Sequence, residues 1–424
     1  MLAAPSLSAL DAAAKAVDRA CAAPSFRNSL SISPFAETVL ASCALTDGIS
    51  TARTLPELQH LFNRHGATET YMRIATLKHD NQGDDELGWA RGLERARLSR
   101  ELGMPFNPEL GLWAQYGDGS YYQQPPNFRD YPSIRVPGPW TSLKLDQMLP
   151  IMRQYGELVA RQILGTGVRV NYWDLGNEVE SGVAGVTVRP LFPDSSYKPP
   201  NNIDPQIGTM STAELISMPE SERIAWSQKH LWPYVGKLLR ATAEGIRSVD
   251  HSARFSTHIS GFGQRTPAVQ VAFWESCKSV GYLPHLLGSS YYPTDGKSTL
   301  GPLNTFAFMK QIALDLHRKF GRQLFIAEYG YPSATMPPPY PFNDTVSGYP
   351  QTPAGQAAFT HDFVAWGVKK GVLAGLRPWA PDYCTSSGWE PMSWFTLKGK
   401  LGRSKPALRA VQRVVGRQKC RTAG

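Results

Sequence analysis

Short apolar runs alternate with amphipathic segments along most of the chain, and this alternation predicts a repeated strand–helix architecture. The eight predicted strands lie near 28–33, 69–76, 108–114, 168–176, 254–260, 285–292, 323–328 and 372–379. The predicted helices lie near 55–65, 84–103, 143–164, 223–248, 267–280, 305–320, 353–370 and 405–415. Eight strands that alternate with helices favour a parallel sheet closed into an α/β (β/α)8 TIM barrel.

Two of these helices illustrate the signals. In 143–164, apolar residues recur at spacings of three and four and form one stripe: Met148, Met152, Tyr155, Val159 and Ile163. The segment 353–370 follows Thr352, a typical N-cap, begins with Pro353 and is followed by Gly371, a typical C-cap residue. An open doubly wound sheet is the alternative, but its functional form needs a glycine-rich phosphate turn after an early strand, and the sequence has none.

Three long segments rich in Pro, Gly and Tyr follow predicted strands three, four and seven, at 115–142, 177–222 and 329–352. In a barrel, the loops after the strands build the active site at the C-terminal face, so these insertions predict one site at one end. No linker divides the chain. We therefore expect an N-terminal extension at 1–25, a single catalytic domain at 26–415 and a basic tail at 416–424.

Composition excludes several classes of protein. Of the 424 residues, 42% are hydrophobic and 19% are charged, which is typical of a folded soluble chain, and no apolar run is long enough to span a membrane. The net charge of +9 comes from residues 398–424, which hold nine Lys or Arg and no acid. The rest of the chain is neutral, so we expect no nucleic-acid partner; the basic end is either a solvated helix end or a docking site for an anionic polymer.

Five cysteines cannot all pair within one chain, although a bridge near the termini, such as Cys21 with Cys420, stays open. No Cys/His cluster has zinc spacing, and we expect no metal and no cofactor. Residues 1–14 lack the basic start and the uninterrupted apolar run of a signal peptide. The protein is therefore predicted to be extracellular or periplasmic with its signal removed, or else cytoplasmic.

Two apolar strands end in a glutamate. The fourth strand leads into Gly176-Asn177-Glu178, and the seventh, Leu324-Phe-Ile-Ala, ends in Glu328. Closure of the barrel would bring both carboxylates to the same cleft. Glycoside hydrolysis needs such a pair, because one carboxyl must donate a proton to the leaving oxygen while the other is ionised and attacks the anomeric carbon.

Several motifs resemble those of the retaining clan A glycoside hydrolases, and most closely those of the arabinogalactan endo-β-1,4-galactanase family. These are Gly176-Asn-Glu-Val-x-x-Gly182, Leu287-Gly-Ser-Ser-Tyr-Tyr-Pro293, Gly355-Gln356, and Trp379-Ala-Pro381 followed by Gly388-Trp-Glu390. The resemblance covers about 69–397 and implies that Glu178 is the acid/base, Glu328 the nucleophile and Asn177 a donor to the sugar 2-hydroxyl. It also implies that Arg73 hydrogen-bonds the nucleophile. The mouths of strands one and three, and Tyr329-Gly330 after the nucleophile, depart from the family pattern.

Further candidates come from alternation along the strands and from aromatic residues at the barrel mouth. Of Tyr291 and Tyr292, one faces inward and the other packs under a helix; Tyr292 is favoured to hydrogen-bond Glu328. His258 is either a substrate contact or an interior histidine. Trp379 is expected to stack on a sugar ring rather than to fill the core, and Trp113 and Trp389 are candidates for further subsites.

These observations predict a retaining β-glycoside hydrolase that acts on a polysaccharide or oligosaccharide, with endo action favoured by the long aromatic loops and a galactan-like substrate. The alternatives are an exo-acting β-glycosidase of the same clan and a carbohydrate-binding barrel without catalysis. The sequence leaves the sugar, the linkage and the oligomeric state open.

Overall fold

The computed structural model describes residues 26–77, 87–114, 116–117, 122–260, 266–295 and 306–421; at 116–117 and 416–421 it describes the backbone alone. Eight parallel strands form the central sheet, and we number them β1 to β8 in chain order. They are Arg27–Asn28, Thr70–Ile74, Phe106–Leu110, Trp173–Leu175, Phe255–Ile259, Leu286–Tyr291, Gln323–Tyr329 and Leu373–Pro378. Their order in the sheet is β1-β8-β7-β6-β5-β4-β3-β2, so the predicted (β/α)8 barrel is confirmed.

The helices surround this sheet. They span Ala36–Ser42, Leu55–Arg64, Trp89–Glu101, Leu145–Gly165, Pro205–Thr209, Thr212–Ser217, Glu220–His230, Trp232–Arg247, Pro267–Ser279, Phe306–Phe320, Pro353–Lys370 and Ala410–Arg421. Short 3-10 turns lie at Trp140–Ser142, Val179–Ser181 and Pro406–Arg409. All five residues of the predicted stripe in Leu145–Gly165 are fully buried. Thr352 caps its helix through the Gly355 amide, and Gly371 closes it with a φ of 69°. No helix among the described residues has the length and apolar character required to cross a membrane.

The remaining strands are short and lie outside the barrel sheet. Two-stranded pairs join Tyr116–Gly117 to Tyr122–Gln123 and Gly182–Val183 to Val186–Thr187. A four-stranded sheet has the order Phe395–Lys398, Leu401–Ser404, Ala44–Thr46, Thr51–Ala52. It joins the beginning of the barrel to its end, because Leu401–Ser404 pairs with Ala44–Thr46 in parallel.

The first strand is shorter than predicted. The regular ladder ends at Asn28, although the Ser29 amide still donates to the Leu376 carbonyl, and the buried residues that follow bond to side chains instead. The Ile32 amide donates to Gln59, and the Ser33 amide donates to Asp382. The β1 and β2 edges meet through the Thr68 amide, which donates to the Asn28 carbonyl at 3.0 Å. The barrel therefore closes between β1 and β2 through irregular contacts and not through a regular strand ladder.

The predicted helix 223–248 is two helices. It breaks at Leu231, whose φ of −127° and ψ of −60° lie outside the helical range, and the next helix begins at Trp232 with Pro233 in its first turn. A proline there has no amide to donate to the preceding turn, so it ends one helix and starts another. The predicted last helix begins as the 3-10 turn Pro406–Arg409 and continues to Arg421.

The barrel interior is charged near its centre. Glu109 on β3 is fully buried and accepts hydrogen bonds from Tyr71, Arg73 and Arg377. Arg377 on β8 also pairs with Asp174 on β4. A buried charge is costly unless it is paired and hydrogen-bonded, and these groups satisfy one another across four strands. This network supports the polar cleft above it.

Candidate active site

The backbone after β4 turns sharply to present Glu178. Gly176 has a φ of 75°, and a Cβ added there would lie 2.2 Å from Val179 Cγ1. Glu178 itself has a φ of 47°, a left-handed conformation that is uncommon for a residue with a side chain. Such strain persists only where surrounding contacts hold it, and it is frequent at functional sites.

The Glu178 carboxyl is poised to hold a proton. Ser290 Oγ donates to Glu178 Oε1 at 2.6 Å. Burial, together with the negative charges of Glu328 and Glu180, raises the pKa of Glu178 to about 7. At neutral pH this side chain is therefore present in both protonation states, as a group that donates and later accepts a proton requires.

The Glu328 carboxyl has the opposite tendency. Burial acts to raise its pKa, but the ion pair with Arg73 and the neighbouring His258 outweigh burial and hold the pKa of Glu328 well below its usual value. Tyr292 donates its hydroxyl to Glu328 Oε2 at 3.0 Å. Glu328 is thus an ionised carboxylate, held by an arginine and a tyrosine.

Two side chains connect the carboxylates and show that they share one cleft. Ser290, which donates to Glu178, pairs with Glu328 across the β6–β7 ladder, at a register shift after Ser289. His258 Nε2 donates to Asn177 Oδ1 at 3.0 Å and lies 3.9 Å from Glu328 Oε1. The ends of β4, β5, β6 and β7 therefore meet at one place.

Asn177 is oriented from both sides. Its Oδ1 accepts from His258, and its backbone carbonyl accepts from Gln123 Nε2 at 2.8 Å. Its amide nitrogen, Nδ2, is buried and has no hydrogen-bond partner among the described residues. A buried donor without a partner is costly, so this amide is prepared to donate to a bound hydroxyl.

Arg73 is held in place by two further groups. Its Nε donates to Glu109 Oε1 at 2.5 Å, and its guanidinium lies 4.2 Å from the centre of the Trp379 ring. Trp379 follows the last residue of β8, is partly exposed, and meets Phe35 edge-on at 6.4 Å. This tryptophan therefore lies at the mouth of the barrel, beside the arginine that pairs with Glu328.

The other predicted aromatic residues differ in position. Trp389 is partly exposed and belongs to a cluster with Tyr292, Tyr340 and Phe342 on the Glu328 side of the cleft. Tyr291 is fully buried and packs among rings of the adjacent strand and helix, Tyr329, Phe359 and Phe363. Trp113 is also fully buried. As positioned, neither Tyr291 nor Trp113 offers a surface for a sugar.

Sequence reasoning missed three residues that organise the site: Glu109, Arg377 and Ser290. Glu109 and Arg377 carried a signal, because each is a charged residue within a short apolar strand, where burial without a partner is costly. Ser290 carried none, since a serine in a strand is ordinary and its role depends on the bulge. Glu180, near Glu178 in sequence, is buried and accepts from the Ser260 amide at 3.0 Å.

The described residues contain no group of three or more His, Cys, Asp or Glu side chains placed to hold a metal ion. The groups that surround the two glutamates are an arginine, a histidine, hydroxyls and an amide. They can orient a sugar and move protons.

Comparisons with known proteins bear on the family and the fold of this chain. The sequence model of glycosyl hydrolase family 53 matches residues 127–410. The catalytic domain of an Ignisphaera aggregans family 53 enzyme has the same fold at 15% identity, with a TM-score of 0.65, over 92% of this chain and 96% of that one. A structure from a study of two fungal β-1,4-galactanases matches at 17% identity and a TM-score of 0.65, over 92% of this chain and 100% of that one. No curated protein sequence matches the chain significantly.

Proposed function

Because this chain belongs to glycosyl hydrolase family 53, it is a retaining glycoside hydrolase, and we propose that it is an endo-acting β-1,4-galactanase in which Glu178 is the acid/base and Glu328 the nucleophile. The roles are assigned from two carboxyls in one cleft whose pKa values are shifted in opposite directions. The pKa of Glu178 is raised to about 7, whereas the pKa of Glu328 is lowered.

In the first step, the Glu328 carboxylate attacks the anomeric carbon and the bond to the leaving sugar breaks. The proton of Glu178 passes to the departing glycosidic oxygen, so that the leaving group departs as a neutral hydroxyl. Arg73 and Tyr292 hold the attacking carboxylate at a fixed angle. The Asn177 amide donates to the sugar 2-hydroxyl, where a hydrogen bond that strengthens in the transition state lowers the barrier.

In the second step, Glu178 is ionised and takes a proton from water as the water oxygen attacks the anomeric carbon. The bond to Glu328 breaks, and the product leaves with its original anomeric configuration. Arg73 again neutralises the carboxylate that is released. One residue with a pKa near neutrality can perform both proton transfers, which is why the raised pKa of Glu178 suits this role.

The substrate proposal has separate support. The similar fungal structure comes from a study of β-1,4-galactanases, and the motifs at strands four, six and eight resemble those of the galactanase family. Trp379 and Trp389, both partly exposed at the cleft, supply flat apolar faces of the kind on which sugar rings stack. Long loops after several strands favour a cleft that accepts internal segments of a polymer.

The nucleophile is tested by replacing Glu328 with Ala. We expect hydrolysis of an activated aryl β-galactoside or aryl galactobioside to fall by about 10⁴-fold or more, because no group remains to form the glycosyl-enzyme. Added azide should restore turnover and yield the glycosyl azide of inverted configuration. Glu101→Ala, an exposed glutamate at a helix end, is the control. Full activity of Glu328→Ala would contradict the assignment.

The substrate is tested on a panel of polysaccharides with sizing of the early products. Oligosaccharides of mixed length released from β-1,4-galactan would support endo action on this polymer. Release of monosaccharide alone would support the exo-acting alternative. Binding without any product would support a carbohydrate-binding barrel, and cleavage of a different polymer with galactan untouched would overturn the galactan proposal while leaving the catalytic pair intact.

We also propose that the protein works outside the cytoplasm, since its substrate is a polymer too large to enter a cell. Secretion of the intact protein by its native host, measured by immunodetection in cell and medium fractions, tests this. Detection in the cytosol alone would contradict it.

A further inference from the structure

Two buried cysteines lie at opposite ends of the catalytic domain in sequence. Cys43 sits between the helix Ala36–Ser42 and the strand Ala44–Thr46. Cys384 lies in the loop that follows β8. Their exposed fractions are 6% and 2%, and both are thiols in this structure. Nearly the whole barrel separates them along the chain.

These two thiols meet in space. The Cys43 and Cys384 thiols lie near enough for each to influence the pKa of the other. The small sheet explains why: Gly402 pairs with Leu45, close to Cys43, and a Cβ added at Gly402 would lie 3.1 Å from Cys384 Sγ. A side chain at position 402 would press on this sulfur. The absence of a side chain at Gly402 therefore lets the Cys384 sulfur lie beside the strand that directly follows Cys43.

We propose that Cys43 and Cys384 form a disulfide when the chain folds in an oxidising environment. The two thiols lose two protons and two electrons as the sulfur–sulfur bond forms. The oxidant is a small-molecule or protein disulfide, which is reduced to two thiols through a mixed-disulfide intermediate. Bond formation requires the sulfur atoms to approach to about 2.05 Å.

Burial determines when this exchange can occur. It raises the pKa of both Cys43 and Cys384, so little reactive thiolate exists in the folded protein. We therefore expect the bond to form during folding, before the thiols are covered, and to resist reductants once the barrel is closed. Cys277, a residue of the helix Pro267–Ser279, is fully buried against Gly236 of the helix Trp232–Arg247, which makes it a matched control.

The bond would restrain the edge of the site as well as the unfolded chain. The loop after β8 begins next to Trp379, and its Asp382 accepts from the Ser33 amide at 3.1 Å. A Cys43–Cys384 bridge would add a covalent tie between the same two regions. Since it closes a loop of almost the whole domain, the loss of entropy in the unfolded chain is large, and the native state gains stability.

The test starts with wild-type protein folded with a mixture of reduced and oxidised glutathione. The protein is denatured without reductant, alkylated, digested and analysed by mass spectrometry. We expect a linked peptide pair that contains Cys43 and Cys384, and an alkylated Cys277, whether or not Cys21 and Cys420 are also linked. Recovery of Cys43 and Cys384 as alkylated peptides, or of either one linked to another cysteine, would overturn the proposal. This measurement is independent of any activity, so it can fail while the proposed function stands.

Thermal denaturation provides the second measurement. Wild-type protein folded in oxidant should melt higher than wild-type protein folded in dithiothreitol, by a shift on the order of 5 °C. Cys43→Ser and Cys384→Ser should each abolish this dependence on redox conditions, and the double variant should add nothing further. Cys277→Ser should keep it. An equal melting temperature for oxidised and reduced wild type would contradict the stabilising role.

Discussion

Glu178 lies just beyond the buried strand β4 and Glu328 lies near the end of the buried strand β7, yet the two glutamates have opposite proton affinities. Glu178 accepts a hydrogen bond from the Ser290 hydroxyl and is repelled by two nearby carboxylates. Glu328 forms an ion pair with Arg73 and accepts a hydrogen bond from Tyr292. Burial acts to raise the pKa of both residues. The difference therefore comes from the neighbouring charges, and above all from the side of the cleft on which Arg73 lies.

This comparison indicates how one barrel can give two nearby carboxyls the different pKa values that the proposed acid/base and nucleophile need. Arg73 is committed to the Glu328 side by Glu109, which accepts from its Nε, and by the Trp379 ring beside its guanidinium. Had the arginine been free to turn toward Glu178, the two carboxyls would be more alike. The charged network beneath the site thus maintains the asymmetry on which a double-displacement mechanism depends.

After the loss expected for Glu328→Ala, the largest effect is expected when the proton-donating carboxyl of Glu178 is replaced. Glu178→Gln should lower kcat/KM on galactan by about 10³-fold, because the leaving sugar alcohol must then depart without protonation. An aryl glycoside with a good leaving group should lose much less in the first step. Azide should rescue the variant and yield a glycosyl azide of retained configuration.

An equal loss on both substrates would show that Glu178 is needed for something other than proton donation. Glu101→Ala serves again as the control, and circular dichroism should show that the fold of Glu178→Gln is unchanged.

The next largest effect is expected when Arg73, which pairs with Glu328, is replaced. Arg73→Met should lower kcat/KM by about 10²-fold, because the nucleophile loses its cation. The pKa of Glu328 should rise, so the acid limb of the pH profile should move to higher pH, by about 1–3 units. Arg73→Lys, which keeps the charge, should fold normally and move the limb less.

If Arg73→Met and Arg73→Lys both lower the rate but leave the acid limb of the pH profile unmoved, Arg73 orients Glu328 without changing its pKa.

A moderate effect concerns the pH profile of the wild-type enzyme. Glu178 must be protonated in the first step, and its pKa is raised to about 7, so kcat/KM should fall above that pH by about tenfold per pH unit. Glu328 is ionised throughout this range, since its pKa is lowered. The basic limb should disappear in Glu178→Gln. A basic limb that persists there would belong to another group.

The smallest effect is expected at Ser290. Its hydroxyl donates to Glu178 and lowers the pKa of that carboxyl, so Ser290→Ala should move the basic limb to higher pH and reduce kcat/KM by about fivefold. Ser289→Ala is the matched control, because its hydroxyl contacts Gln270 and the Ser290 carbonyl instead of the cleft. Identical profiles for the two variants would count against a role for the Ser290 hydroxyl.

The chain's own periodicity determined the number and order of the eight strands, the fold and the place of both glutamates, because strand-length apolar runs and helix caps are local properties of the sequence. The sequence predicts the ends of the strands and helices less accurately than their number. Strand one ends early because the backbone of Ile32 and Ser33 bonds to side chains, and Pro233 divides a helix that the apolar pattern alone makes continuous. The family resemblance is confirmed by the match over residues 127–410.

Only the tertiary structure decided which protonation state each glutamate prefers, that Trp113 is fully buried, and that Cys43 lies near Cys384. Each of these depends on distances between residues far apart in the chain and on the water removed around them. Such quantities arise when the barrel closes, and no local pattern contains them.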